Sequence, residues 1–379
     1  MIAGLALLVA LAALQGPPPA AGVAKPDPVA QRVEKLLKGL SLEQKVGQLI
    51  MVGFGGKEMG PEIVRLLTSL HVGSVAMYTR NVRSPEQVSK LIGEIRKVMQ
   101  SEVQPFVALD QEGGNVVRLR SEVTVLPGTM TLGATRDPVL AFLAGQAQGI
   151  DLTLIGFDMN LAPVLDTNIN PRNPVINVRA FGENAELVAQ MGSAFVRGQQ
   201  GAGLATVAKH FPGHGTTEHD SHFALPRISL DAEQLYRTEL VPFRRAVEAG
   251  LDAIMTAHVQ VPSVDPDGTP GSLSKKLITG LLRERMGFNG LVITDDLEMR
   301  AISETRGVGG AAVQAVRRQM AIKARGRRLR GMADLASLGT RAHPLGARTS
   351  ANKTLVRLRP TKIQHHADFL LNQFASFLQ

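Results

Sequence analysis

Between Lys209 and His222 the sequence reads KHFPGHGTTEHDSH, which packs four histidines, two carboxylates and a lysine around two glycines and a proline. Such a stretch suits neither a helix nor a strand, so it is expected to be a loop, where functional groups concentrate. Asp220 and His222 stand two apart, a spacing that lets the carboxylate reach an imidazole nitrogen and makes them a candidate proton-handling pair near neutral pH. His210 and His214 are four apart, as in helical zinc motifs, but Pro212 and Gly213 lie between them and no regular helix would present both rings on one face. No metal is therefore expected, and these two histidines read as ligand-contacting or loop-ordering groups.

Two further segments end in carboxylates. The run GLVITDDLEM over Gly290–Met299 is an apolar strand followed by Asp295 and Asp296, which fits either an anionic nucleophile at a strand end or a helix N-cap. The run VALDQEGGNVVR over Val107–Arg118 is a strand followed by an acidic turn, with glycines that allow close approach to a ligand. Asp110 could accept a pair of hydroxyls and Arg118 could orient it; a purely structural Asp–Arg pair is the alternative.

The elements that must position these residues are short apolar runs alternating with helical stretches. Seven candidate strands are expected at Leu49–Phe54, Val72–Tyr78, Pro105–Leu109, Asp158–Leu165, Leu204–Ala208, Ala253–Ala257 and Gly290–Thr294. Val29–Leu40 has helical spacing, and Ser41 with Gln44 makes a capping box for a second helix. Alternation of continuous apolar strands with helices predicts parallel β/α units covered on both faces. Polar residues follow strand after strand: Asp110, Asp166, Lys209 with His210, His258 and Asp295. This favours a (β/α)₈ TIM-type barrel, whose C-terminal strand ends converge on one site, over an open sheet. No eighth strand is evident after Ala311–Ala315, so the barrel is expected to be incomplete at its C-terminal end, with a catalytic unit over 29–316 and a basic atypical tail over 317–379.

The net charge of +9 over 379 residues would suggest nucleic acid, but it is misplaced for that. Thirteen basic and two acidic residues lie from Val316 onward, which leaves −2 over the preceding 315 residues, and no nucleic-acid partner is expected. The absence of cysteine excludes disulfides and thiol chemistry. With no Trp and only two Tyr, a compact pocket is expected in place of a long aromatic groove. The apolar run Met1–Leu14 followed by Pro17, Pro18 and Pro19 resembles a secretory signal peptide within a leader and linker over 1–28, although no Lys or Arg precedes it. Export to the periplasm or medium is expected if that signal is real, and a cytoplasmic place otherwise; no stable membrane span is expected, and oligomeric state is not legible.

Together LDQEGGNVVRLR, NVRAFG, KHFPGHG with the following DSH, and ITDDLEM resemble the catalytic barrel of glycoside hydrolase family 3, in its β-N-acetylhexosaminidase branch, from about Val29 to Val316. The resemblance implies that Asp295 is the nucleophile and that Asp220 and His222 form the acid/base dyad. It also implies sugar-binding positions at Asp110, Arg118, Arg179, Lys209 and His210. The implied substrate is a saccharide with terminal β-linked N-acetylglucosamine, typically a peptidoglycan fragment, cleaved with retention and without a cofactor. Two rival expectations are a phosphorylase, in which phosphate replaces water, and a sugar-binding protein inactivated by its aberrant C-terminus.

Overall fold

A computed structural model describes residues 28–99, 103–318 and 321–324. Eight parallel strands close in sequence order into a barrel: β1 (Ile50–Gly53), β2 (Ser74–Met77), β3 (Phe106–Leu109), β4 (Met159–Asn160), β5 (Ala205–Phe211), β6 (Ala253–Thr256), β7 (Leu291–Asp296) and β8 (Ala321–Ala324). The seven expected strands are present, and helices connect them as the alternation requires.

The eighth strand corrects the sequence reading. Ile322 is in register with Ile50 of β1, and Ala321 with Ile293 of β7, so the barrel closes through residues placed beyond its expected end at Val316. Four residues inside a cationic run carry no local strand signal; what selects them is the pair of open edges on β7 and β1, whose backbone groups need partners. Residues 1–27 of the expected leader and linker (1–28), and residues 319–320 and 325–379 of the expected tail (317–379), lie outside the described residues.

β4 is also shorter than expected, because Pro163 has no N–H to extend the ladder. The chain beyond it still tracks its neighbours: the N–H of Leu161 donates to the carbonyl of Leu109 (2.8 Å), and that of Lys209 to Pro163 (3.1 Å). Outside the barrel, helix Pro85–Val98 shows how the covering layer forms. Ser84 caps its N-terminus, Pro85 occupies the first turn, and Val88, Leu91, Ile92 and Ile95 make one buried stripe. Ser41 and Gln44 form the expected capping box on helix Leu42–Gln48, with bonds of 3.2 and 2.8 Å.

Strand alternation decides which residues reach the barrel axis. Met51, Ala76, Ala108, Met159, Ala205, Val207, Ala253, Met255 and Ile293 form the interior cluster, where small and long side chains mix to fill the space. Continuing the same parity toward the C-terminal ends gives Tyr78, Asp110, Lys209 and Asp295. Gly53 makes room in this layer, since a Cβ there would lie 2.6 Å from the Tyr78 ring.

Because β8 bonds on both sides, Ile322→Pro should lower Tm by several degrees, since it removes a ladder donor and leaves an acceptor unsatisfied at a cost of about 1–3 kcal/mol, at roughly 2–4 °C per kcal/mol for a domain of this order of size. Ile322→Val should melt close to wild type. A melt unchanged by proline, followed by circular dichroism, would show that this strand does not close the barrel.

Candidate functional site

A pocket of about 170 Å³ opens at the C-terminal end of the barrel. Its wall includes Asp110, Arg118, Arg179, Lys209, His210, His222 and Asp295, so seven of the eight singled-out residues converge there. The eighth, Asp220, does not line the pocket and stands behind His222. Convergence follows from topology: parallel strands put the C-terminal ends of β3, β5 and β7 at one mouth of the closed barrel, and the register of β5 against β6 slips between Ala208 and Phe211, where Lys209 and His210 lie.

The floor is a buried ion cluster. The Lys209 ammonium lies 2.8 Å from Asp110 and 2.6 Å from Glu112, while Arg118 reaches Asp110 at 3.2 Å. Arg179 donates from Nε and Nη2 to both oxygens of Glu112, at 2.8 Å each, and from Nη1 to the Val175 carbonyl. The resemblance made Arg179 a sugar-binding position; in the structure three of its donors are engaged by the protein. Burial alone would raise the Glu112 carboxyl, but Arg179 and Lys209 outweigh it and bring the pKa down to about 2.

Beneath the His-rich loop, the buried Asp166 accepts from His210 Nδ1 (2.7 Å) and from the main-chain N–H of His214 (2.8 Å). Burial opposes its charge, yet His210 and His214 hold it below the usual carboxylate range. A carboxylate can only accept, so His210 carries a proton on Nδ1. His214 is pushed down to about 4, chiefly by burial, and is neutral at pH 7. Its Nδ1 pairs with Thr217 Oγ1 (2.6 Å) and its Nε2 with Ser221 Oγ (3.0 Å). Asn173 Nδ2 donates to the carbonyls of His214, Gly215 and Thr217, which pins the loop from the other side.

The dyad sits at the outer end of this loop. Asp220 Oδ1 accepts from both the main-chain N–H (2.9 Å) and Nδ1 (2.7 Å) of His222, which leaves Nε2 as the second ring nitrogen. The His222 side chain is 47% exposed, so protons can reach it from solvent. On β7 the two acids differ. Asp296 is buried and its Oδ1 accepts from the N–H of Glu298 (3.0 Å), while its carbonyl accepts from His258 Nε2 (3.0 Å). Asp295 is half-buried in the pocket wall, with Oδ1 accepting from the N–H of Asp296 (2.7 Å). Asp296 thus orders the turn after β7, and the helix Arg300–Ser303 that follows starts at Met299 without a side-chain cap.

Tyr78 was not among the sequence candidates; Glu112 and Asp166 were noted only as polar groups after strands, and His214 only as a ligand-contacting or loop-ordering group. Glu112 shares a turn with Asp110, and Asp166 follows a strand, so both had a signal; Tyr78 had one only through strand parity. Arg80 stacks over the Tyr78 ring at 4.4 Å and Arg118 approaches it at 5.8 Å.

Glu112→Gln should cost about 3 kcal/mol at neutral pH, because it strips the charge from a buried pair. The folded pKa of Glu112 is depressed, so its contribution is present above about 4.5 and lost as pH falls toward 2. Urea unfolding of both proteins at pH 7, 4 and 3 should show the gap narrowing; a constant gap would mean that charge is not what Glu112 contributes.

Residues 41–324 match the glycosyl hydrolase family 3 N-terminal domain. Over 262 residues the chain is 36% identical to Beta-hexosaminidase A of Pseudoalteromonas piscicida, spanning 64% of this chain but only 44% of that longer protein. It is 37% identical over 251 residues to the Beta-hexosaminidase of Pseudomonas aeruginosa, spanning 66% of this chain and 74% of the relative. The structure of a glycoside hydrolase family 3 β-N-acetylglucosaminidase from Paenibacillus sp. superimposes with a TM-score of 0.77 at 42% identity, over 86% of this chain and 68% of that one. With its barrel, its convergent site and these likenesses, the chain belongs to glycosyl hydrolase family 3, beside the family's β-hexosaminidases.

Proposed function

We propose that this chain is a retaining exo-β-N-acetylglucosaminidase that removes terminal β-linked N-acetylglucosamine from saccharides, peptidoglycan fragments among them. The observation that carries this reading is the meeting of His222 and Asp295 in one pocket, the first backed by Asp220 and the second half-buried at a strand end. Retaining hydrolysis needs an anionic group to capture the oxocarbenium-like carbon and a separate group to protonate the leaving oxygen.

In this mechanism His222 gives the proton on Nε2 to the glycosidic oxygen as the bond to C1 breaks, and an Asp295 oxygen bonds to C1. The ring, now holding only the Nδ1 proton shared with Asp220, takes a proton from water. The resulting hydroxide oxygen attacks C1 and releases Asp295, so two inversions give net retention. Asp110, Lys209 and Arg118 supply acceptors and donors suited to sugar hydroxyls. Tyr78, Val116, Val175, Met255 and Met299 supply apolar wall for the ring's C–H faces. A compact pocket suits a terminal sugar. The β-N-acetylglucosaminidase named among the structural neighbours supports the acetamido sugar as substrate.

A chromogenic β-N-acetylglucosaminide should be hydrolysed far faster than the matching glucoside, and the reverse order would overturn the substrate assignment. Asp295→Ala should lose several orders of magnitude in rate while melting as wild type. Retention of more than roughly a tenth of the rate would remove Asp295 from the nucleophile's role, since losing a covalent catalyst costs much more than that. His222→Ala should harm substrates with poor leaving groups far more than activated aryl glycosides, which need little protonation. Equal loss across a leaving-group series would point to a structural part for this histidine.

A further inference from the structure

Glu239 is a carboxyl group that the proposed mechanism does not use. It directly precedes helix Leu240–Glu248, is 0% exposed, and lies beneath the segment that leads to Asp220 and His222. Its Oε1 accepts two bonds from one residue of that segment, the main-chain N–H of Thr216 (3.0 Å) and the Thr216 hydroxyl (2.9 Å). Its Oε2 finds no hydrogen-bond partner among the described residues. It packs against Gly213, where φ is +132° and an added Cβ would stand 2.3 Å from that oxygen, so the turn is shaped around the carboxyl.

We propose that Glu239 is a positioning residue for the loop 213–222, a buried carboxyl wedged under Gly213 and Thr216 that keeps the dyad loop seated while it is protonated and unseats it when it ionises.

The surroundings favour the neutral form. Burial comes first and the field of Asp166 second, and together they raise the group to about 8 despite the Thr216 bonds and the main-chain N–H of Thr167. The ionisable groups on the neighbouring elements are Asp166, from the segment after β4, and its partners His210 and His214 on β5 and its loop. Among the described residues no cation forms an ion pair with Glu239, in contrast to Glu112. An ionised Glu239 would be buried with only the Thr216 donors and the Thr167 main-chain N–H to meet its charge and no cation beside it, and the simplest relief is for the loop to lift and admit water.

The linkage has a definite sign. The seated loop binds the proton up to about pH 8, whereas a lifted loop exposes an ordinary carboxyl with a pKa near 4.5. Opening therefore becomes easier across that interval, by up to about tenfold per pH unit, and levels off above pH 8. The benefit to turnover rests on the reading of Asp220 and His222 given above, but the seating of the loop does not.

Hydrogen exchange of the full chain tests this without an activity readout. Peptides covering 213–223 are followed from pH 5 to pH 9 in the wild type and in Glu239→Gln, whose amide oxygen can still accept both Thr216 bonds. The ratio of wild-type to variant exchange cancels the intrinsic pH dependence and the titration of the loop histidines. It should climb up to about tenfold per unit to pH 8 and then flatten. Glu239→Met, similar in length and without a proton to lose, provides the same comparison if the Gln variant does not fold. A ratio that is flat from pH 5 to pH 8 overturns the proposal. So does a wild-type loop whose own protection, corrected for intrinsic rates, stays constant over that range. Loss of the Asp295 or His222 assignments would leave this exchange profile untouched, so the two failures are distinguishable.

Discussion

The Lys209 side chain is 3% exposed and touches two carboxylates, Asp110 at 2.8 Å and Glu112 at 2.6 Å. An ammonium taken out of water without partners costs several kcal/mol, so this lysine is tolerable only where acids meet it with good geometry. The acids come from the turn after β3 and the lysine from β5, and Arg179 secures Glu112 from a third segment. The ion cluster therefore ties together the parts of the barrel mouth that the proposed sugar site needs, and its near balance of charge suits a neutral ligand better than an ionic one.

Four buried ionisable groups under this mouth have been driven in different directions by their neighbours. Glu112 falls to about 2 beside two cations, and Glu239 rises to about 8 with Asp166 near it. Asp166 falls under the influence of two histidines, while His214 drops to about 4 because burial dominates. The desolvation cost is common to all of them: counter-charges overcome it at Glu112 and Asp166, and it prevails at Glu239 and His214. A loop held by neutral groups, Glu239 and His214, thus rests on a floor held by charged ones.

Much of this was legible in the sequence. Seven strands, the capping box at Ser41 and the broken, polar character of 209–222 follow from local pattern, because apolar runs, N-cap chemistry and Pro–Gly punctuation act over a few residues. Asp110, Lys209, His222 and Asp295 could be singled out because polar groups at strand ends stand out against apolar surroundings. Glu112 and Asp166 were visible in the same way but carried no sign that they, and not a ligand, would engage Arg179 and His210.

What the sequence determined by itself was the β/α alternation, the place of each polar turn and the pairing of Asp220 with His222 across two residues. Tertiary structure alone decided the rest. Residues 321–324 became the closing strand because the edges of β7 and β1 required partners, a demand no local window records. Tyr78, Asp110, Lys209 and Asp295 came to one pocket because closure turns a common strand parity into a common axis. Glu239 lost its contact with water because a loop more than twenty residues earlier in the chain folded over it. In each case the deciding energy, whether an unpaired backbone group, a shared interior or a desolvated carboxyl, exists only between segments distant in sequence.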